Sequence, residues 1–120
     1  MAGVRPIGWW EWLPLPWRKW RLVGQVQAGD EVPERLPWKG VILVGPPERP
    51  TWVAFDCPCG HGHRLMVNLD KTRRPAWRIE SMRPLSIRPS IDNVTPERRC
   101  HFTLLGGRIM WAHHERTTTR

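Results

Sequence analysis

Three cysteines and two histidines have the residue types and the spacing for metal chemistry. Cys57, Cys59, His61 and His63 lie within the run Cys-Pro-Cys-Gly-His-Gly-His, and Cys100 is the only other cysteine of the chain. Thiolate and imidazole groups are the usual ligands of zinc in tetrahedral protein sites. The two glycines of the run allow a tight loop to wrap around an ion. The sequence therefore predicts one zinc ion bound by the three cysteines and one histidine.

Two histidines compete for the fourth position of this predicted site. His61 is preferred because it lies inside the loop, two residues from Cys59, whereas His63 begins the next strand and could face solvent or a substrate. Four protein ligands close a zinc site to water, which is typical of a structural ion. The Cys-x-Cys spacing is rarer than Cys-x-x-Cys, and the alternative is a set of buried cysteines beside two surface histidines.

A serine and a histidine further along the chain could form a nucleophile and its base. Successive side chains of a strand point to opposite faces, so a Cys100 that faces the metal directs His101 away from it. A neutral imidazole can take the proton of a serine, and Ser90 could be that serine, with Asp56 or Asp92 orienting the ring. The residue types alone favour a simpler interpretation, in which Ser90 caps a turn and His101 is hydrogen-bonded on a sheet surface.

Short apolar or alternating segments, separated by proline and glycine, must position these residues. They predict a mainly β fold: a small antiparallel β domain with the cysteine run in the loop of a hairpin. Gly106 and Gly107 predict a second hairpin with a two-residue turn. The predicted strands are 21–27, 41–44, 52–56, 64–69, 77–81, 85–88, 101–105 and 108–112.

The length of 120 residues predicts one domain, divided into an N-terminal arm of residues 1–20, a zinc-stabilised β domain of residues 21–115 and a frayed tail of residues 116–120. The N-terminal arm is irregular and rich in Trp and Pro. Its five tryptophans either pack on the surface of the domain or dock a partner or a membrane interface. We prefer packing, since exposure of all five would favour aggregation.

The chain is basic, with 19 Lys and Arg residues against 11 Asp and Glu residues. This charge suits nucleic acid, acidic proteins or anionic lipid, but it is dispersed, which favours a solvated surface over a dedicated nucleic-acid face. The odd number of cysteines argues against a disulfide framework, and the sequence lacks a secretory signal and a membrane span. These features predict a cytoplasmic protein.

Several short motifs occur in one order along the chain: the run from Phe55 to His63, then Trp77, Pro89-Ser90-Ile91, Cys100-His101-Phe102 and Gly107-Arg108-Ile109-Met110-Trp111. Over about residues 36–112 they resemble a small bacterial family, domain-of-unknown-function family 6527. Many members of that family have cysteine at the position of His61, and the resemblance therefore supports His61 as a ligand.

Members of this family look like peptidases encoded beside ubiquitin-like proteins and their E1-like and E2-like enzymes. The resemblance implies a serine mechanism with a structural zinc, in which Ser90 is the nucleophile and His101 the general base. It also implies cleavage after the C-terminal glycine of a ubiquitin-like protein.

Two other functions fit parts of the sequence. A zinc-ribbon-like module that binds nucleic acid or an acidic protein would use the positive charge and the tryptophans. A zinc hydrolase would need an open metal position and a general base, and the sequence has no His-Glu-x-x-His motif to supply them.

Overall fold

The computed structural model describes residues 7–60, 62–94, 96 and 99–112. These residues form eight strands and two short 3-10 helices, Trp9–Trp12 and Gly29–Glu31, which confirms the predicted mainly β fold. The strands are β1 (Arg21–Val26), β2 (Gly40–Val44), β3 (Trp52–Asp56), β4 (Arg64–Asn68), β5 (Arg78–Met82), β6 (Leu85–Val94), β7 (Arg99–Leu105) and β8 (Arg108–Trp111).

The first sheet has the order β1-β2-β3-β4. Strands β2, β3 and β4 are antiparallel neighbours, as predicted. Strand β1 instead pairs with β2 in parallel, which departs from the predicted antiparallel arrangement. A parallel pair needs a connection that returns the chain to the same end of the sheet. Residues 27–39, which include the second 3-10 helix, make that connection.

The second sheet has the order β5-β6-β7-β8, and its neighbouring strands are antiparallel. Gly106 and Gly107 join β7 to β8 with φ angles of 58° and 77°. Two successive positive φ angles characterise the tight hairpin turn that glycine favours. The predicted glycine hairpin is therefore present. The backbone N–H of Trp20 donates to the carbonyl of Gly107 at 2.8 Å, which joins the N-terminal arm to this turn.

Both sheets contribute to one hydrophobic core. Trp20, Phe55, Phe102 and Trp111 form a row of edge-to-face contacts, with successive ring centroids 5.9, 6.3 and 5.7 Å apart. Phe55 belongs to the first sheet and Phe102 to the second, and both are fully buried. Such aromatic pairs contribute about 0.5–1.5 kcal/mol beyond the burial of their area. The row therefore helps to hold the two sheets together.

Strand β6 is longer than the predicted strand 85–88 and continues to Val94. Its register with β7 shifts between the pairs Ile87–Leu104 and Ile91–Phe102, so β6 uses two more residues than β7 over this interval. The extra residues form a bulge that contains Pro89. A proline lacks the N–H that a regular ladder requires, and a bulge tolerates it. The predicted end of the strand at Arg88 is therefore wrong, because the bulge accommodates Pro89 within β6.

The part of the N-terminal arm that the structure describes attaches to the domain through Glu11, whose carboxylate accepts hydrogen bonds from Arg18 at 3.1 Å and Arg21 at 2.7 Å. Trp20 enters the core. The preferred interpretation of self-packing tryptophans is wrong for Trp9, Trp10 and Trp17, which are exposed. Trp12 is also exposed, but the guanidinium of Arg35 lies over its ring, 5.9 Å from the centroid.

The division into arm, domain and tail stays a prediction, and residues 116–120 lie outside the described part. No helix within that part is long and apolar enough to cross a membrane.

Candidate active site and metal centre

The described residues 57–60, 62 and 63 lie in the connection between β3 and β4, where the sequence predicted the loop of a hairpin. The backbone N–H of Cys57 donates to the carbonyl of His63 at 2.8 Å and closes the base of the loop. Gly60 and Gly62 have φ angles of 79° and 85°, which side-chain-bearing residues rarely adopt. We call this segment the metal loop.

The three cysteines meet beside this loop. The sulfur atoms of Cys57, Cys59 and Cys100 all lie within 4.8 Å of one another. Two thiolates bound to one zinc ion at about 2.3 Å lie about 3.8 Å apart, so the three sulfurs are close enough to share an ion. Cys100 comes from β7 in the second sheet, whereas the other two lie in the loop between β3 and β4 of the first. An ion held here would therefore join the two sheets.

Burial affects the chemistry of two of these thiols. Cys57 and Cys100 are buried. Burial raises the pKa of the Cys57 thiol above its usual value, and burial raises the pKa of Cys100 to about 12. The protonated forms therefore prevail at neutral pH when no cation is present. A metal ion must displace these protons in order to bind, so its affinity increases with pH.

The structure describes only one of the two candidate histidine ligands. His61, the preferred fourth ligand, lies outside the described residues. His63 has its Nδ1 atom 3.7 Å from the sulfur of Cys59. The side chain of His63 thus approaches the cysteine cluster. The compact set of possible ligands among the described residues consists of the three cysteines.

Ser90 and His101 are brought together, as the serine mechanism requires. The Oγ atom of Ser90 lies 3.0 Å from the Nε2 atom of His101, which is hydrogen-bonding distance. Both side chains are half-buried, whereas the neighbouring Cys100 is buried on the other face of β7. The alternation that was expected for Cys100 and His101 is therefore present.

The bulge in β6 has a partner that sequence reasoning missed. The indole N–H of Trp77 donates to the backbone carbonyl of Ser90 at 3.0 Å. Ser90 lies between the two registers of the β6–β7 ladder, where regular pairing is interrupted. The indole therefore supplies a hydrogen bond where the ladder is irregular. Trp77 is among the residues that carry the family resemblance, and a tryptophan N–H needs an acceptor when it is buried, but neither signal identifies Ser90 as its partner.

Trp77 is itself held by the segment that connects the sheets. Its backbone N–H donates to the carbonyl of Asn68 at 2.8 Å. The side chain of Asn68 is buried, and its Nδ2 donates to the carbonyls of Asp70 and Pro75 at 3.0 Å each. Asn68 thus orders residues 69–77, and these residues position Trp77 beside Ser90.

The two carboxylates proposed to orient His101 have different surroundings. Asp92 lies directly opposite His101 in the β6–β7 register, and Arg99 binds it through two hydrogen bonds of 3.0 and 2.8 Å. Asp56 ends β3 in the other sheet and pairs with Arg64 at 2.8 Å. The strand pairing therefore places Asp92, rather than Asp56, next to His101.

A serine that is hydrogen-bonded to an imidazole on a partly exposed sheet face is suited to acyl transfer. A family model described as bacterial ubiquitination-like system serine protease (BubE) matches residues 28–112. This range contains the cysteine cluster, Ser90 and His101. No curated protein and no solved structure matches the chain. The family match covers well over half of the chain, and the protein therefore belongs to the family of bacterial ubiquitination-like system serine proteases, BubE.

Proposed function

We propose that this protein is a serine protease that cleaves after the C-terminal glycine of a ubiquitin-like protein, with Ser90 as nucleophile and His101 as general base. The observation that carries the proposal is the 3.0 Å separation of Ser90 Oγ and His101 Nε2 in a member of a serine protease family. The E1-like and E2-like enzymes of such a system are its proposed partners. The assignment to domain-of-unknown-function family 6527 stays a prediction.

The proposed reaction begins with His101 neutral and its proton on Nδ1, so that Nε2 accepts the hydrogen bond from Ser90 Oγ. As Oγ attacks the carbonyl carbon of the glycine, its proton moves to Nε2. The tetrahedral intermediate collapses, the bond to the leaving group breaks, and Nε2 returns the proton to that group. Water then attacks the acyl-serine with the help of the same imidazole and releases the carboxylate.

A glycine at the cleaved position suits the surroundings of Ser90. Ser90 is half-buried within β6, and its Oγ contacts the imidazole of His101. A residue without a side chain brings its carbonyl closer to a half-buried serine than other residues can. The partial burial of Ser90 therefore supports a preference for a C-terminal glycine.

The zinc ion is proposed to be structural. Cys57, Cys59 and Cys100 would hold it, with His61 as fourth ligand and His63 as the alternative. The bound ion would supply a cross-link between the metal loop and β7. Since Cys100 precedes His101 in β7, this cross-link would hold the strand that carries the base.

The test is labelling with a fluorophosphonate probe, read by intact mass. We expect the protein to gain one probe adduct, and Ser90→Ala and His101→Ala to abolish it. Ser86→Ala is a matched control, because Ser86 is another half-buried serine of β6 whose Oγ accepts a hydrogen bond from the Gly106 N–H at 2.8 Å. This control should label normally.

A second assay tests the proposed substrate class. A ubiquitin-like protein extended beyond its C-terminal glycine should be cleaved after that glycine by the unmodified protein and not by Ser90→Ala. If the folded, zinc-loaded protein neither labels nor cleaves, the serine mechanism is wrong, and the zinc-ribbon-like binding module becomes the better interpretation.

A further inference from the structure

A groove of about 580 Å³ opens between the N-terminal arm, the metal loop and β8. Three exposed tryptophans line it: Trp17, Trp38 and Trp111. Each belongs to a different part of the chain, since Trp17 is in the arm, Trp38 precedes β2 and Trp111 ends β8. Large exposed apolar side chains that converge on one concavity are typical of an interaction site.

The charged side chains that line the groove are all basic. Lys19, Lys39 and Arg108 line it together with the tryptophans, and none of the described lining residues is acidic. Arg18 also lines the groove, but its guanidinium is paired with Glu11. The cavity on the other side of Trp38 contains both Glu34 and Asp56, so the absence of acidic residues distinguishes this groove from its neighbour.

Electrostatic complementarity therefore calls for an acidic occupant. The ammonium of Lys39 lies 4.4 Å from the ring centroid of Trp38 and donates to the carbonyl of Arg18 at 3.1 Å. The ammonium thus covers one of the two ring faces on which a nucleic-acid base would stack. A carboxylate that approaches from the groove can pair with this ammonium directly. These contacts favour an acidic protein segment over a nucleic acid.

The groove is separate from the reacting pair. Trp111 lies opposite Phe102 in the β7–β8 register and packs against its ring, on the core side of β7. His101 points to the other face of the same strand. The groove and the Ser90–His101 pair are nonetheless joined through the backbone. The N–H of Ala112, the residue after Trp111, donates to the carbonyl of His101 at 2.9 Å.

We propose that this groove, lined by Trp17, Trp38, Trp111, Lys19, Lys39 and Arg108, binds an acidic protein segment with apolar side chains. That segment belongs to the ubiquitin-like substrate, an assignment that rests on the proposed function. Apolar side chains of the segment contact the tryptophans, and its carboxylates pair with the three cations. Binding at this groove increases affinity for the protein substrate and leaves the chemistry at Ser90 unchanged.

The test measures binding by fluorescence anisotropy with the full chain carrying Ser90→Ala, so that it is independent of cleavage. The probe is a fluorescein-labelled glutamate-rich peptide with two leucines, beside the same peptide with glutamine at each glutamate. Trp17→Ala and Arg108→Glu are the test variants. Trp9→Ala and Arg49→Glu are matched controls, because Trp9 is 73% exposed like Trp17, Arg49 is exposed like Arg108, and neither control residue lines the groove.

Each groove variant should weaken binding of the glutamate peptide by about tenfold or more, as loss of a central aromatic or charged contact does. The controls should stay within about twofold. Equal binding of the glutamine peptide, equal effects of test and control variants, or no binding would overturn the proposal. Tighter binding of an oligothymidylate that displaces the peptide would show a nucleic-acid site instead. Because the measurement uses Ser90→Ala, failure of the serine mechanism would not alter its outcome.

Discussion

Strand β7 carries Cys100 on its inner face and His101 on its outer face, and these neighbours belong to two differently built sites. The cysteine cluster draws its sulfurs from both sheets and is largely buried. The Ser90–His101 pair comes from adjacent strands of one sheet, is half-buried, and depends on a bulge. The first arrangement suits a cross-link, and the second suits a reaction with a substrate that arrives from solvent.

Stability and chemistry are thus assigned to neighbouring residues within a short stretch of chain. Loss of the proposed zinc ion should disturb both sites, because the ion would hold the strand that carries His101. Loss of the serine should disturb only the proposed reaction.

Cys100→Ser should have the largest effect. It removes one proposed zinc ligand and should lower the free energy of unfolding by more than about 3 kcal/mol, because a structural metal would contribute directly to folding. Urea unfolding and the zinc-to-protein ratio measure the two losses. Chelation should act in the same way, and more readily at lower pH, since the thiols regain their protons. Unchanged stability without zinc would contradict a structural role.

Ser90→Ala should lower the cleavage rate by about 10³-fold or more, because the proposed nucleophile is lost. The free energy of unfolding should change by no more than about 1 kcal/mol, the usual contribution of one hydrogen bond. Single-turnover cleavage and urea unfolding measure the two quantities. Ser86→Ala should retain the rate. Comparable destabilisation by Ser90→Ala and Cys100→Ser would remove the distinction between the two sites.

His61→Ala should weaken zinc binding by more than about 100-fold, because it removes a proposed ligand. Loss of a group that only hydrogen-bonds to a metal ligand already weakens binding by about 10–100-fold. His63→Ala should have a smaller effect, since Nδ1 of His63 lies near Cys59 outside the compact set of three sulfurs. Competition with a chromogenic chelator measures both affinities. The reverse order would assign His63 as the fourth ligand.

Trp77→Phe should lower kcat by about tenfold with little change in KM. The substitution retains an aromatic ring but removes the indole N–H that binds the carbonyl of Ser90, so the nucleophile is less well positioned. Trp52→Phe is the matched control, because Trp52 is also half-buried but packs on the opposite side of the first sheet. An equal fall in both variants would indicate a general packing effect.

Asp92→Asn should have the smallest effect, a fall in the cleavage rate of up to about fivefold. The proposed interaction of the Asp92 carboxylate with the protonated His101 is partly exposed, and such ion pairs contribute roughly 1 kcal/mol or less. Asp92 lies opposite His101, whereas Asp56 pairs with Arg64 in the other sheet. Asp56→Asn should therefore leave the rate unchanged. The pair of variants distinguishes the two carboxylates by steady-state kinetics.

Local sequence predicted much of this molecule. The metal loop, the glycine hairpin and most strands followed from neighbouring residues, because alternation and turn chemistry act over a few positions. The exposed tryptophans of the arm and the parallel β1–β2 pair did not follow, since both depend on how distant segments pack. The bulge in β6 was missed for the same reason, as its two extra residues are visible only against β7.

The sequence by itself determined which residues could react or bind a metal: three cysteines, two histidines of one loop, Ser90 and His101. Only the tertiary structure decided which of them meet. It brought Cys100 of one sheet to the metal loop of the other, and it brought Ser90 Oγ to 3.0 Å from His101 Nε2. It also supplied Trp77, whose indole binds the Ser90 carbonyl across a separation of 13 residues. Such contacts between distant residues depend on strand register and on the packing of the sheets, which no short stretch of sequence contains.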